Sequence, residues 1–187
     1  MKAVKAKEII IPTATLTIIA LIVTVLLVLT NGFTKDRIAQ LAAQTEDEAR
    51  MTVLPDADSF EEKTVDVDGQ TQTYYEAVNG AGYVFSTSSK GYGGDVVVMT
   101  GISADGEITG VMLTSHDETP GLGAKAENAS FTNQYLMAVP EDGFSVVKDN
   151  PNGQIDAIAG ATITSRAVTN SVNTAIDIYE AVTGGGQ

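Results

Sequence analysis

The sequence predicts an α+β domain, a mainly antiparallel sheet with flanking helices, behind one N-terminal transmembrane helix. Three observations predict it. Ile9–Thr30 is an uncharged run rich in Ile, Leu and Val. Between residues 64 and 115, short β-rich runs are separated by turn residues, among them Asp105-Gly106. Near the C-terminus, Val168, Val172, Ala175, Ile176 and Tyr179 recur at helical spacing. Consecutive strands followed by a helix favour the α+β arrangement.

The N-terminal run is 22 residues long. At a rise of about 1.5 Å per residue, it spans the roughly 30 Å hydrocarbon core. Pro12 falls in its first turn, where a missing N–H costs little. A cleaved signal peptide would have a shorter apolar region, about 7–15 residues, ending at small residues. Here Asn31-Gly32-Phe33 follows, which favours a retained anchor. Lys2, Lys5 and Lys7 precede the helix, and only Lys35 and Arg37 follow closely. This predicts a cytoplasmic tail at 1–8, a single cell-membrane span at 9–30 and an extracytoplasmic soluble domain.

From residue 31 onward, eight Lys and Arg face 23 Asp and Glu, a formal charge of −15. Such a surface repels nucleic acid and anionic headgroups, so no nucleic-acid partner is expected. The anchor, not surface charge, would hold the domain at the membrane. The chain has no cysteine. That excludes disulfides, thiolate zinc sites, cysteine-ligated iron–sulfur clusters and thioether haem attachment. With one histidine, His116, no transition-metal site or serine-hydrolase triad is expected.

Residues 34–50 read as a polar helix with Ile38, Leu41, Ala42, Thr45 and Ala49 on one face, either a stalk or part of the domain. Pro55-Asp56-Ala57-Asp58 breaks it, so 31–57 reads as a juxtamembrane helix and linker. The domain proper is expected at 58–183, with a flexible tail at 184–187. Its strands are expected at Thr64–Val67, Thr73–Val78, Tyr83–Thr87, Val96–Ser103 and Ile108–Ser115. The last two form a hairpin around Asp105-Gly106. Helices are expected at about Asn128–Ala138 and Ser165–Val182.

Two segments could carry chemistry. In Asp156-Ala157-Ile158-Ala159-Gly160-Ala161-Thr162-Ile163-Thr164-Ser165, a short strand leads through small residues into a helix. Gly160 and Ala161 allow close approach to the backbone, and the free N–H groups of a helix start attract an anion. A hydroxyl there can be esterified to phosphate, with Arg166 at hand. The spacing is equally that of a plain N-cap at Thr164 or Ser165, and taken alone it favours the cap. The second segment is His116-Asp117-Glu118-Thr119-Pro120-Gly121-Leu122-Gly123. Glu118, Thr119 and backbone groups could bond a polar ring edge, and Leu122 could cover an apolar face. An ordinary surface loop is the alternative. Gly91-Tyr92-Gly93-Gly94 lacks the spacing and following helix of a nicotinamide fingerprint.

The stretch Asp156–Thr164 resembles the flavinylation motif of the FMN-binding domain family, whose last threonine carries FMN through a phosphoester. The anchor, Gly91–Gly94, the Asp105-Gly106 hairpin, the 116–123 loop and the 156–165 motif also occur in the order of the RnfG family of Rnf electron-transport complexes. The related NqrC family of the sodium-translocating NADH:quinone reductase is similar but typically longer. The resemblance covers nearly the whole chain. Ala159 departs from it, since the family often has Ser or Thr there.

The resemblance implies covalent FMN on Thr164. It implies recognition of Asp156, Gly160, Ala161 and Thr162 by a separate flavin transferase, so that this chain needs no catalytic base of its own, and Ser165 is expected beside them at the cofactor site. It places His116, Glu118, Thr119, Gly121, Leu122 and Gly123 by the flavin. It implies an electron relay without independent catalysis, partnered by the membrane and peripheral subunits of an ion-translocating ferredoxin:NAD oxidoreductase. The rival readings are a flavinylated domain of another extracytoplasmic reductase or electron-export route, and an anchored binding domain without cofactor.

Overall fold

The computed structural model describes residues 6–67 and 69–184. The expected tails at 1–8 and 184–187 fall largely outside them. The chain divides into two compact units, residues 1–46 and 47–187.

The first unit is helical. It is the larger part of helix α1, Ala6–Val53, which contains a stretch, Ile10–Gly32, long and apolar enough to cross a membrane. None of that stretch is buried against protein. Side chains such as Leu16, Leu21 and Leu27 are more than half exposed, which in water would be costly and in lipid is favourable. Pro12 sits inside the helix. The hydroxyls of Thr15, Thr17 and Thr24 donate to carbonyls one turn back, so they present no unpaired polar group to a hydrocarbon surround. One N-terminal apolar helix thus fits a single-pass membrane anchor.

The second unit is built on a five-stranded antiparallel sheet in sequence order. Its strands are β1 (Phe60–Val67), β2 (Gln70–Ala77), β3 (Gly82–Lys90), β4 (Asp95–Ser103) and β5 (Ile108–Ser115). The α+β class and the antiparallel sheet are as the sequence predicts. The hairpin at Asp105-Gly106 is present, with Gly106 N–H donating to Ser103 O at 3.0 Å. Strand β1 begins four residues earlier than expected. The reason is a cross-strand pair, Lys63 with Glu76 at 2.7 Å, in a stretch whose hydropathy alternates weakly.

Alternation along the central strands sends side chains to two cores. Phe85, Val98, Ile102, Ile108 and Leu113 pack on one face with Val168, Val172 and Ile176 of helix α3, Thr162–Thr183. Val84 and Met99 face the other way, against Ala49, Val53 and Leu54. The end of α1 therefore belongs to the globular unit. Gly101 and Gly110 form the notch it lies in, since a side chain at either would collide with the Val53 backbone. Thr109 Oγ1 donates to Val53 O in the same place, at 2.5 Å.

The helix expected at 128–138 is only partly formed. A 3-10 turn (Gly123–Glu127) precedes α2 (Ala129–Thr132), and a second 3-10 turn (Asn133–Tyr135) follows. The segment then leaves helical geometry because its backbone is used by the sheet. Ile108 N–H donates to Met137 O at 2.9 Å, and Ala138 bridges Glu107. Helix α3 starts at Thr162, three residues before the expected Ser165. Both Ser165 N–H and Ser165 Oγ donate to Ala161 O at 3.0 Å, which closes an additional first turn.

Candidate functional site

The shift in the start of α3 decides what Thr164 does. The N-cap is Ala161, which has no side chain able to cap. Thr164 lies inside the first turn and is 1% exposed. The cap reading of Thr164 and Ser165 is thereby corrected. Thr162, Ile163 and Thr164 are the positions whose N–H groups have no acceptor within a helix, and no side chain caps them. Gly160 turns the chain into this helix with φ +79, a conformation glycine adopts without a Cβ penalty.

A cavity of about 550 Å³ opens over this helix start. That is within the size range of small-molecule and cofactor sites. One wall is Gly160 to Thr164 together with Lys148, whose Nζ donates to Thr162 Oγ1 at 2.8 Å. The other is Glu118, Thr119, Leu122 and Gly123, with Tyr92 beside them. The walls meet at one hydrogen bond: Thr164 Oγ1 donates to Glu118 Oε2 at 2.7 Å. Gly123 permits the meeting. A Cβ there would run into Glu118 and stand 2.7 Å from Thr164 Oγ1.

Glu118 is 6% exposed, yet its second oxygen is fully engaged. Oε1 accepts the backbone N–H of Tyr92 at 2.7 Å and of Gly93 at 3.1 Å. The Gly91–Gly94 turn, closed by Gly91 N–H to Gly94 O at 2.7 Å, thus supplies two donors to a carboxylate far along the chain. Burial pushes the Glu118 carboxyl up. The Thr164 hydroxyl, the N–H groups of Gly93 and Tyr92, and the nearby His116 outweigh it and hold the group below the usual carboxylate range.

Eight of the twelve residues proposed from sequence line the cavity: Glu118, Thr119, Leu122, Gly123, Gly160, Ala161, Thr162 and Thr164. The other four stand behind it. His116 accepts the Glu118 N–H on Nδ1 at 3.1 Å and contacts Glu127 through Nε2 at 2.8 Å, so it shapes the loop. Gly121 provides a positive-φ turn. Ser165 Oγ accepts the Ile158 N–H at 3.0 Å and ties the motif to its helix. Asp156 is held through its backbone, by Gln134 Oε1 at 2.7 Å. Arg166, expected near the anion site, is instead paired with Asp149 at 2.5–2.7 Å. Lys148, Tyr92 and Ile163 are lining residues that the sequence did not single out as site residues. Lys148 reaches the helix start because Val146 bridges Ile155 in parallel, a contact with no local sequence signature.

The donor set fits a flavin phosphate. Helix N–H groups and Lys148 suit an anion, and Tyr92, Leu122 and Ile163, exposed by 75%, 46% and 48%, offer apolar surface beside it. A family profile points the same way, and sequence relatives identify the family. The FMN-binding domain profile matches residues 91–177, and the RnfG N-terminal region profile matches residues 1–53. The RnfG protein of the Na(+)-translocating ferredoxin:NAD(+) oxidoreductase complex of Acetobacterium woodii is 39% identical, over 82% of this chain and 83% of that protein. Its counterpart in the ion-translocating oxidoreductase complex of Methanosarcina acetivorans is 37% identical, over 96% of this chain and 98% of its own. The crystal structure of the NqrC protein of the Na(+)-translocating NADH-quinone reductase from Parabacteroides distasonis superposes with a TM-score of 0.47 at 26% identity, covering 64% of this chain and 60% of that one. This chain belongs to the RnfG family of ion-translocating, Rnf-type oxidoreductase complexes, and its globular unit contains an FMN-binding domain.

Proposed function

We propose that this chain is the membrane-anchored flavin carrier of an ion-translocating ferredoxin:NAD oxidoreductase, with FMN joined through its phosphate to Thr164 Oγ1. The observation that carries this reading is the position of Thr164: a buried hydroxyl in the first turn of α3, on the wall of the cavity, beside uncapped helix N–H groups. A phosphoester at that oxygen would leave its anionic oxygens within reach of those donors and of Lys148. Bound FMN supplies one- and two-electron exchange. The chain's own residues hold and orient it, with Tyr92, Leu122 and Ile163 giving apolar contact. A covalent tether suits a domain outside the cytoplasm, where released FMN is hard to recover. The N-terminal lysines support that orientation.

The partners on this reading are the membrane and peripheral subunits of the complex, together with a flavin transferase that matures the domain. Co-expression with a transferase and denaturing electrophoresis test the attachment. The wild-type chain should give a fluorescent flavin band, and Thr164→Val should give none. A band that persists in Thr164→Val would move the attachment to another side chain, and its absence from wild type would remove the reading.

A further inference from the structure

The hydroxyl that would receive FMN from a separate enzyme is covered. Thr164 belongs to the cavity wall, yet it is 1% exposed. We propose that the 116–123 loop is a latch over this acceptor. The Thr164–Glu118 hydrogen bond holds it shut in the unmodified protein, the transferase works only on the open form, and the attached phosphate keeps that bond from re-forming. The latch rests on the reading of Thr164 as the attachment site, and all bond-making stays with the transferase.

Transfer requires the donor phosphorus about 3–3.5 Å from Oγ1. Glu118 Oε2 already stands 2.7 Å from that oxygen. The backbone of Gly123 is beside it, so close that a Cβ would lie 2.7 Å from Oγ1. A phosphorylated flavin held by a second protein must first displace the carboxylate. Gly123 adds no side chain to the cover, which leaves the attached phosphate room once Glu118 has withdrawn.

The loop is built to part from the helix. Among the described residues, one hydrogen bond joins the 116–123 loop to α3, the bond from Thr164 to Glu118. The turn at its tip closes on itself: Leu122 and Ala124 N–H both donate to Thr119 O, at 3.1 and 3.3 Å. It can therefore lift without losing its own bonds. Thr119, Pro120, Gly121 and Leu122 are exposed and contribute to neither core, as expected of a segment that opens at low cost. What opposes opening is the charge on the acceptor. An ionised carboxylate makes a stronger bond to a hydroxyl than a neutral oxygen does, and the N–H groups of Tyr92 and Gly93 hold its other oxygen in place.

Modification removes the hydrogen that closes the latch. An ester oxygen only accepts, so Glu118 would meet it acceptor to acceptor. Its carboxylate would also face a new phosphodiester anion in a place shielded from water. The closed arrangement thus belongs to the unmodified protein.

The full-length protein in detergent, with a flavin transferase and flavin adenine dinucleotide, tests this. Glu118→Ala removes the closing bond and keeps the acceptor. At limiting chain concentration the rate follows the open fraction. Covalent incorporation, read by in-gel fluorescence, should then be about tenfold faster than in wild type. Amide hydrogen exchange of the unmodified chain reads the latch without the transferase. Thr164→Val cannot donate and should speed exchange across residues 116–123 by about tenfold. Thr164→Ser can donate and should keep the wild-type pattern. A Glu118→Ala chain modified no faster than wild type would overturn the latch while leaving the attachment to Thr164 standing. Equal exchange in Thr164→Val and wild type would do the same. No adduct on wild type would overturn both. Should Glu118→Ala lose the wild-type circular dichroism spectrum, the exchange comparison decides.

Discussion

The two walls of the cavity are made in different ways. The α3 wall, Gly160 to Thr164, is five consecutive residues whose arrangement follows from how one helix begins. The loop wall is assembled over distance: Glu118 bonds Tyr92 from 26 residues away and Thr164 from 46. The first wall presents backbone donors and Lys148, the second an ionised carboxylate. On the proposed reading a local motif marks where the phosphate sits, while the hydroxyl beside it is held by a tertiary contact. The contrast holds only if the loop wall is rigid, and that is open to measurement.

Gly123→Ala should break it most severely. The added methyl would press on the Glu118 side chain and reach 2.7 Å from Thr164 Oγ1. Glu118 cannot swing aside cheaply, because three hydrogen bonds hold it. Overpacking of this kind costs about 1–3 kcal/mol. A lowered melting temperature together with at least a tenfold loss of covalent flavin is expected. Wild-type values for both would show that the loop is pliable and that the carboxylate is not fixed by its surroundings.

The same division explains how much could be read from the sequence. The five β-rich runs, the Asp105-Gly106 hairpin and the core face of α3 rest on local patterns, and each is found as expected. The 128–138 segment has helix-compatible residues, but the edge of β5 takes its backbone at Met137 and Ala138, which no periodicity reveals. Ala161 is a poor cap, so the sequence places the helix start at the next hydroxyl pair, while the Ser165 side chain closes one turn more. Lys148 and Arg166 show the limit most clearly. The cation nearer to Thr164 in sequence is turned to Asp149, and the one remote in sequence lines the cavity.

Acid should separate the walls next. Glu118 has its carboxyl held below the usual range in the folded state, so its contacts contribute stability that is fully present above the unfolded carboxylate value. That contribution is lost as pH falls through the lower folded value. Urea unfolding of the unmodified protein across the acid range should show this decline, and Glu118→Gln should flatten part of it. An unchanged acid limb in Glu118→Gln would mean that the carboxylate's contacts add little to folding. The α3 wall has no titrating group in its cavity-facing stretch, Gly160 to Thr164, so it makes no such demand.

The smallest effects come from the two cations, and their difference is the finest test. Lys148 is an exposed charge that would pair with the proposed phosphate, a contribution of about 0.2–1 kcal/mol. Lys148→Gln should therefore weaken non-covalent FMN binding to the Thr164→Val protein by roughly two- to fivefold, an effect that fades as salt rises. Arg166→Gln removes only an exposed pair with Asp149, away from the cavity lining, and should leave that affinity unchanged. Titration of the flavin fluorescence reads both. If Arg166→Gln has the larger effect, then the phosphate lies on the outer side of α3, toward Asp149. The cavity between the helix start and the 116–123 loop would then hold something other than the phosphate.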